Sequence, residues 1–364
     1  MATATKARGG IVLATAELRS ALATCGKVVS ARAAKAILRN VRIGDGLITA
    51  TDLEISAAVT CDYHGEPLLL PHDRLSAIVA ACGADELRLQ PGDTSCVVTA
   101  GRGRWTLPTE DVREFPAWEP ADLKPVARLP SDQFARAVRG VAFAVDTESS
   151  RYALGAVLLV VEGGNPTLVA TDGRRLATYE CETDQAVDDG SWLVPARVMQ
   201  LLGTLANGDD GSVQLEAAGS EIVATVANVT ITARLMEGRF PRWRDVLVER
   251  DIQPTQVHAG ELLAAVRQAS IVVSEQSKGV AFAFSPDGIT LTGRSSEHGE
   301  STVTCDVVEA GKATTVRMDP RFVSQWLATV DSAEVVSVEA DTPEAAIVCR
   351  CEDSRYVIMP MAEE

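Results

Sequence analysis

The chain has 364 residues, of which 46% are apolar and only 4% aromatic, and it carries a formal net charge of −16. This length allows two or three domains, whose cores must be built from Val, Leu, Ile and Ala. A chain this acidic is a poor candidate for binding nucleic acid with its whole surface, so any DNA contact requires basic residues segregated onto one face.

The eight cysteines are scattered along the chain, and none belongs to a Cys-x-x-Cys pair. We therefore expect buried, reduced thiols and neither a metal nor another cofactor. No apolar run has the length of a membrane span, and the residues before Ile11 lack the apolar stretch of a signal peptide. The sequence thus predicts a soluble, cytoplasmic protein.

An internal repeat organises the chain, and its first members are residues 17–29, 133–145 and 261–273. Each has apolar residues at helical spacing, ends in a short apolar or β-branched run and follows a strand-like segment. A second set of predicted helices starts where proline needs no N–H partner, at Pro71, Pro195 and Pro320. The copies recur roughly every 120 residues.

Short alternating strands lie between the predicted helices, and Asp-Gly turns separate several of them. The predicted strands include residues 68–70, 97–99, 105–107, 157–161, 213–215, 222–226 and 230–233. Each repeat therefore combines two helices with a run of strands, which predicts an α+β domain that is too long for a solenoid repeat. The predicted domains are residues 1–126, 127–252 and 253–364.

Four short stretches carry a family resemblance: RYALGA at 151–156, VATDGRRL at 169–176, GRFPRWRDVL at 238–247 and YVIMPM at 356–361. In order and spacing they resemble the signature stretches of the bacterial DNA polymerase III beta subunit family, the DNA sliding clamps. The resemblance runs from about Ile11 to Met361. It implies the DNA clamp fold, in which two three-domain subunits close head to tail into a ring with helices inside and sheets outside.

The same resemblance implies a non-catalytic processivity factor. Such a factor encircles double-stranded DNA without reading its sequence, and it tethers DNA polymerase subunits, the clamp loader and repair proteins through their short peptide motifs. The predicted helices carry more basic than acidic residues, and we expect this excess to face the duplex. The basic residues assigned to the helices are Arg19, Lys27, Arg74, Arg136, Arg139, Arg197, Arg267 and Arg321. The resemblance adds Arg32 and Tyr152 as DNA contacts. The alternative is that these arginines form ordinary solvated helix faces.

The family binds client peptides in an apolar groove between its second and third domains. By position, the resemblance nominates Leu154, Thr171, Gly173, Arg174, Arg175, Leu176, Pro241, Val246, Phe322, Val357, Met359, Pro360 and Met361. Leu, Val, Met and Pro would form a shallow cleft, Gly173 would allow a tight turn, and Arg175 could donate to a peptide carbonyl. An Asp-Gly hairpin turn followed by a half-buried strand is a compatible interpretation of residues 171–176.

The stretch GRGRWTL at 101–107 reads as a strand with arginines on one face and apolar residues on the other. The resemblance places this strand at the subunit interface, together with an apolar and acidic partner edge. The nominated residues are Arg102, Arg104, Trp105, Leu107, Ile271, Val272, Glu297 and Glu300. The alternative is an edge strand guarded by arginines.

Several positions depart from the family pattern, including Asp245, Ser277 and the ending Ala362-Glu363-Glu364. These departures leave open a diverged second clamp with a narrower role, or a scaffold of the same fold that no longer encircles DNA. An enzyme is disfavoured, because the sequence has no GxxxxGK[ST], GxSxG or HExxH motif and its four histidines fall in unrelated settings.

Overall fold

The computed structural model describes residues 11–30, 33, 35–63, 65–116, 122–146, 152–183, 185, 188–247, 249–274 and 279–362. Only the backbone of Ile11 and Tyr152 is described. The predicted DNA contact Arg32 and the departures Ser277, Glu363 and Glu364 lie outside the described residues. The DNA contact assigned to the Tyr152 side chain therefore also stays a prediction.

The order strand, helix and three strands occurs twice in each repeat, so the described chain contains six copies of it. The first repeat comprises β1 (Ile11–Ala14), α1 (Thr15–Cys25), β2 (Asn40–Gly44), β3 (Leu47–Thr51), β4 (Ile55–Thr60), β5 (Leu68–Pro71), α2 (His72–Ala81), β6 (Glu86–Pro91), β7 (Ser95–Ala100) and β8 (Gly103–Pro108).

The second repeat comprises β9 (Lys124–Pro130), α3 (Ser131–Ala142), β10 (Ala156–Glu162), β11 (Asn165–Thr171), β12 (Arg175–Glu180), β13 (Gly190–Pro195), α4 (Ala196–Ala206), β14 (Ser212–Ala218), β15 (Glu221–Val226) and β16 (Val229–Arg234). The third repeat comprises β17 (Thr255–His258), α5 (Ala259–Ala269), β18 (Val280–Ser285), β19 (Gly288–Ser295), β20 (Gly299–Cys305), β21 (Thr314–Met318), α6 (Pro320–Leu327), β22 (Val335–Glu339), β23 (Ile347–Cys351) and β24 (Ser354–Ile358). Every strand predicted from the alternating pattern is confirmed.

The predicted helix starts at proline are also confirmed. Pro71 and Pro195 occupy the N-cap positions of α2 and α4, and Pro320 is the first residue of α6. The Asp319 side chain caps α6 by accepting the Arg321 backbone N–H. Proline is tolerated at these places because the first N–H groups of a helix have no intrahelical partner.

The helices predicted at 17–29, 133–145 and 261–273 begin two residues earlier and end three or four residues earlier than expected. After α1 the chain leaves the helix at Gly26, and after α5 it continues as a 3-10 turn, Ser270–Val272. The terminal β-branched runs lie outside the helices, in agreement with their low helical propensity. Lys27 consequently lies beyond α1, and its assignment to a helix was wrong.

The chain divides into two compact units, residues 1–125 with 211–234 and residues 126–210 with 235–364. The first unit contains the sheet β1-β6-β7-β8 and the strand order β5-β2-β3-β4-β16-β15-β14. Within it, α1 packs against α2 and against β3 and β4.

The second unit contains the eight-stranded sheet β13-β10-β11-β12-β24-β23-β22-β17 and the four-stranded sheet β20-β19-β18-β21. In this unit α3 packs against α4 and on β11 and β12, and α5 packs against α6 and on β19 and β20. In the second unit, helices therefore cover one face of each sheet, and within the described residues no α-helix covers the opposite face. None of the described helices combines the length and the apolar character that crossing a membrane would require.

Strand pairing joins each repeat to the next. β4 of the first repeat pairs antiparallel with β16, the last strand of the second. In the same way, β12 of the second repeat pairs with β24, the last strand of the third. The corresponding strands for a third junction are β20 and β8, and the described part of the chain gives each of them one neighbour.

Candidate functional site

An apolar patch lies on the face of the eight-stranded sheet where β12 meets β24. Leu176 and Val357 are directly opposite each other across this pair. They belong to a buried cluster with Leu158, Val160, Val169 and Val348. Side chains from the segment that follows β16 pack against this cluster; they are Met236, Phe240, Trp243 and Leu247. The nominated residues Leu176 and Val357 therefore form the floor of a covered apolar layer.

The margin of this region exposes apolar side chains. Val246, at the end of the 3-10 turn Trp243–Val246, is 41% exposed, and Met359 is 46% exposed. Pro241 is exposed, whereas Pro360 and Met361 are half-buried. An exposed valine and methionine next to a buried apolar cluster are suited to contact an apolar ligand, and methionine adapts its shape to different partners.

Leu154 lies in the 3-10 turn Tyr152–Gly155 and is buried. Its carbonyl accepts the backbone N–H of Asp146 at 2.9 Å. The adjacent Ala153 packs against the apolar cluster. The structure thus brings this turn to the site, although Leu154 itself is inaccessible to a ligand.

The turn between β11 and β12 is fixed by side-chain hydrogen bonds. Asp172 Oδ1 accepts the N–H groups of Arg174 and Arg175, at 2.9 and 3.1 Å. Thr171 Oγ1 donates to Arg175 O at 2.5 Å and accepts the Gly173 N–H at 3.0 Å. Gly173 has φ +86°, a conformation that glycine adopts without strain. The turn therefore holds the exposed Arg174 in place, and the Arg174 carbonyl accepts the Met359 N–H at 2.9 Å.

Arg175 points away from the apolar patch, because neighbouring residues of a strand face opposite sides of the sheet. Its side chain is 7% exposed, and Nε donates to Asp172 Oδ2 at 2.9 Å. The terminal nitrogens donate to Gln325 Oε1 and, at 2.7 Å, to Phe143 O. The expectation that Arg175 donates to a peptide carbonyl is therefore wrong for this conformation, in which it links β12 to α6 and to the end of α3.

Phe322 lies with Arg175 on this second face, so the nominated pocket residues divide between two sides of the sheet. Tyr356 is fully buried there, stacks on Trp326 with ring centroids 5.8 Å apart and donates from its hydroxyl to Phe322 O at 3.2 Å. Burial raises the pKa of Tyr356 above its ordinary value, so the hydroxyl stays a donor. This aromatic layer supports the sheet beneath the apolar patch.

The first unit has a turn with the same hydrogen bonds and a very different sheet face beside it. Thr51 Oγ1 donates to Ile55 O, and Asp52 Oδ1 accepts two N–H groups, as in the turn at Thr171. By strand register, the positions of Leu158, Val169, Leu176 and Val357 are occupied there by Arg42, Thr49, Ser56 and Thr232. The two faces share one backbone design, but these four register positions are apolar only in the second unit.

All the arginines assigned to the helices lie within α1 to α6 and are exposed. They are Arg19, Arg74, Arg136, Arg139, Arg197, Arg267 and Arg321. The same helices carry four acids, Glu17, Asp73, Asp132 and Glu261. Some of the arginines are held locally. Arg136 pairs with Asp132 at 2.8 Å, and Arg19 donates to Val79 O at 3.0 Å. The basic excess on exposed helix surfaces agrees with the expected segregation of charge.

The predicted interface residues lie at two sheet edges. On β8, Arg104 is exposed, Trp105 is half-buried and Leu107 is buried, as the alternation predicts, while Arg102 is exposed in the preceding turn. Ile271 follows α5 and is 78% exposed, and Val272 is half-buried. Near the edge strand β20, Glu300 pairs with Arg294 at 2.9 Å and Glu297 lies in the turn before the strand.

The described residues contain no cluster of His, Cys, Asp and Glu with the arrangement of a metal site. All eight cysteines are free thiols, and six of them are buried. Burial raises the pKa of Cys25 and of Cys181 to about 12, which keeps these thiols protonated and unreactive at neutral pH.

Sequence reasoning missed several residues that build the site. Trp243, Phe240 and Met236 cover the apolar patch, and Gln325 and Phe143 hold Arg175. The aromatic residues of the stretch at 238–247 were an available signal, because large apolar side chains bury the most surface. Gln325 and Phe143 had no signal in the sequence, since they lie far from Arg175 along the chain.

Comparisons with known proteins agree with this architecture. Residues 128–242 match the family described as "DNA polymerase III beta subunit, central domain", and residues 247–362 match "DNA polymerase III beta subunit, C-terminal domain". The chain is 26% identical over 321 residues to the "Beta sliding clamp" of Haemophilus influenzae, covering 86% of this chain and 88% of that protein. It is 27% identical over 348 residues to the Pseudomonas aeruginosa "Beta sliding clamp", covering 92% and 94%.

Solved structures give the same result for the fold. The DNA polymerase III subunit beta of Pseudomonas aeruginosa superposes with a TM-score of 0.90 at 24% identity, covering 98% of this chain and 100% of that one. The sliding clamp of Bacillus subtilis has a TM-score of 0.90 at 20% identity, covering 98% and 99%. The fold and its joined sheets define a protein of the DNA-clamp class. Within that class, the chain belongs to the family of bacterial DNA polymerase III beta subunits, the sliding clamps.

Proposed function

We propose that two copies of this chain close into a ring around duplex DNA and tether polymerases to it, without catalysing a reaction themselves. The observation that carries the proposal is the pairing of strands between repeats. β4 pairs with β16 and β12 pairs with β24, and the third pair of this series would be β20 with β8 of a second copy. A head-to-tail contact of this kind closes when its rotation completes a circle, and the family resemblance sets the number of copies at two.

The chemistry of the two edges supports their pairing. Ile271 is 78% exposed beside one edge, and Trp105 is half-buried on the other. The exposed Arg104 on β8 complements the exposed Glu300 on β20. An apolar centre with charged residues around it is the usual composition of a protein interface, and pairing would also satisfy the open N–H and C=O groups of both strands.

The exposed helix surfaces would line the hole of such a ring. They carry seven arginines against four acids, in a chain whose net charge is −16. A modest, screened attraction centres a polyanion without holding individual phosphates, and this is what sliding requires. We assign the same role to Arg32 and Tyr152 by family resemblance. In this proposal the ring consists of three domains per chain, residues 1–126, 127–252 and 253–364.

Client proteins would bind at the apolar patch of the second unit. Val246 and Met359 are exposed at its margin, and Leu176 and Val357 lie beneath it. A short apolar peptide gains affinity by covering such side chains, and the residues around them fix its position. The first unit has Arg42, Thr49, Ser56 and Thr232 at the corresponding register positions, so we assign the client site to the second unit.

Retention on DNA of different topology tests the proposal. The protein is loaded by its clamp loader onto nicked circular DNA, the complex is isolated by gel filtration, and the DNA is then cut once. We expect retention on the circle and release after linearisation, because a ring leaves DNA only at an end. Protein that stays bound to linear DNA would contradict encirclement, and protein that never loads would favour a scaffold of the same fold.

A further inference from the structure

A groove of about 1140 Å³ lies on the face of the sheet β20-β19-β18-β21 that is turned away from α5 and α6. Small side chains form its floor, and Ala281 stands directly between Thr292 and Arg317 in the strand register. The neighbouring Phe282 and Leu291 point to the opposite, buried side. Because the side chains of the floor are small and some carry hydroxyls, the groove has room for a polypeptide strand. The hydroxyls can form hydrogen bonds with the backbone of that strand.

The charges along the groove are Arg317 and Arg294 against Glu300. Arg294 pairs with Glu300 at 2.9 Å, and both side chains are largely exposed. Arg317 is half-buried and lies across Gly279, where an added Cβ would come within 2.4 Å of its Nε. Glycine at this position therefore gives the Arg317 side chain its place on the floor. Among the described residues that line the groove, two arginines stand against one carboxylate, in contrast to the acidic chain as a whole.

The groove continues directly from the proposed client site. Met361 lines it, and the Met361 backbone N–H donates to Arg317 O at 2.8 Å. Two residues earlier, the Met359 N–H donates to Arg174 O beside the apolar patch. One continuous stretch of backbone, residues 359–361, thus joins the apolar patch to the basic groove.

We propose that this groove binds the acidic flank of a client peptide whose apolar part occupies the patch at Met359. This inference rests on the proposed client site and assigns it a second contact with its own chemistry. Arg317 attracts the carboxylates of the flank. The hydroxyls of Thr292 and Thr315 donate hydrogen bonds to the peptide backbone or accept them from it. The attraction is a partly exposed ionic contact, so it weakens as salt is added.

The experiment uses fluorescent peptides that share one apolar core and carry either three Asp or three Asn at one end. Fluorescence anisotropy with the full chain at low salt measures their affinity. We expect the Asp peptide to bind about fivefold more tightly than the Asn peptide, and the difference to disappear in Arg317→Gln. The Arg317 carbonyl remains in this variant, so the position of Met361 is retained. Arg88→Gln, an exposed arginine on β6, is the matched control and should keep the full difference.

Four results would overturn the inference. Equal affinity of the two peptides for the wild-type chain would show that the flank has no acidic preference, while the bound core would leave the client site intact. A preference that survives in Arg317→Gln would place the flank elsewhere. A preference lost equally in Arg88→Gln would reflect net charge alone. Failure of the core itself to bind would reject the client site together with its flank.

Discussion

Arg175 lies over the ring of Phe322, with its guanidinium carbon 4.4 Å from the ring centroid. The same guanidinium is 5.4 Å from the centroid of Phe143 and is bonded to Asp172 at its inner end. A delocalised cation in contact with two aromatic rings, whose nitrogens also bond a carboxylate and two further acceptors, is a stable arrangement for a buried arginine. This contact joins the turn beside the apolar patch to helix α6.

Replacement of Arg175 by alanine should lower the free energy of unfolding by about 3–5 kcal/mol, because it leaves the Asp172 carboxylate and the Phe143 carbonyl without their buried donor. Chemical denaturation measures this change. Arg174→Ala is the control in the same turn, since its side chain is exposed, and it should stay within about 0.5 kcal/mol of the wild type. Equal effects of the two substitutions would contradict a structural role specific to Arg175.

Met359→Asp should weaken the binding of an apolar client peptide at least about tenfold, since the substitution places a charge on the exposed margin of the patch. Stability should change little, because the side chain is already 46% exposed. Val335→Asp, at a side chain 39% exposed on β22, is the matched control and should bind the peptide normally. Peptide titration by anisotropy gives both affinities, and an unaffected Met359→Asp would move the client site elsewhere.

Ile271→Asp should shift the protein from dimer to monomer, because a charge would be buried without a partner at the proposed subunit interface. Light scattering at micromolar concentration measures the mass of the species. Val308→Asp introduces the same charge at a side chain 54% exposed that lies outside both strands proposed to pair, and it should leave the dimer intact. A wild-type monomer at this concentration would count against the ring.

The free energy of unfolding should fall as pH rises from about 9 to about 12. Burial raises the pKa of Cys25 and Cys181 to about 12, whereas the ordinary thiol value is 9.0. Below pH 9 these thiols are protonated in both states. Above it the unfolded chain loses protons that the folded chain keeps, so stability declines by up to about 1.4 kcal/mol per pH unit for each thiol. Denaturation at several pH values measures the slope, and Cys25→Ala with Cys181→Ala should make it shallower. An unchanged slope in that variant would exclude these thiols as the cause.

Local pattern predicted the elements well, because it depends on neighbours in sequence. Proline marks the starts of α2, α4 and α6, and alternation marks strands such as β7 and β15. Helix ends were less predictable, as the position of Lys27 beyond α1 shows. Apolar residues can continue a helical spacing after the helix itself has ended, so periodicity alone does not define the boundary.

The site was predictable only in part. Family resemblance nominated Leu176 and Val357, which the structure brings together although they lie on strands far apart in sequence. The orientation of Arg175 was not predictable, because a charged residue on a strand normally faces water. Its burial depends on Phe322 and Gln325 of α6, and such a contact between distant segments leaves no local pattern.

The pairing of β12 with β24 also governs which parts of the chain can exist alone. A fragment that ends after the second repeat would leave β12 with an unpaired edge, and one that begins at the third would do the same to β24. Such fragments should aggregate through these edges instead of behaving as small independent proteins. The repeat of the sequence and the compact unit of the structure are therefore different parts of this chain.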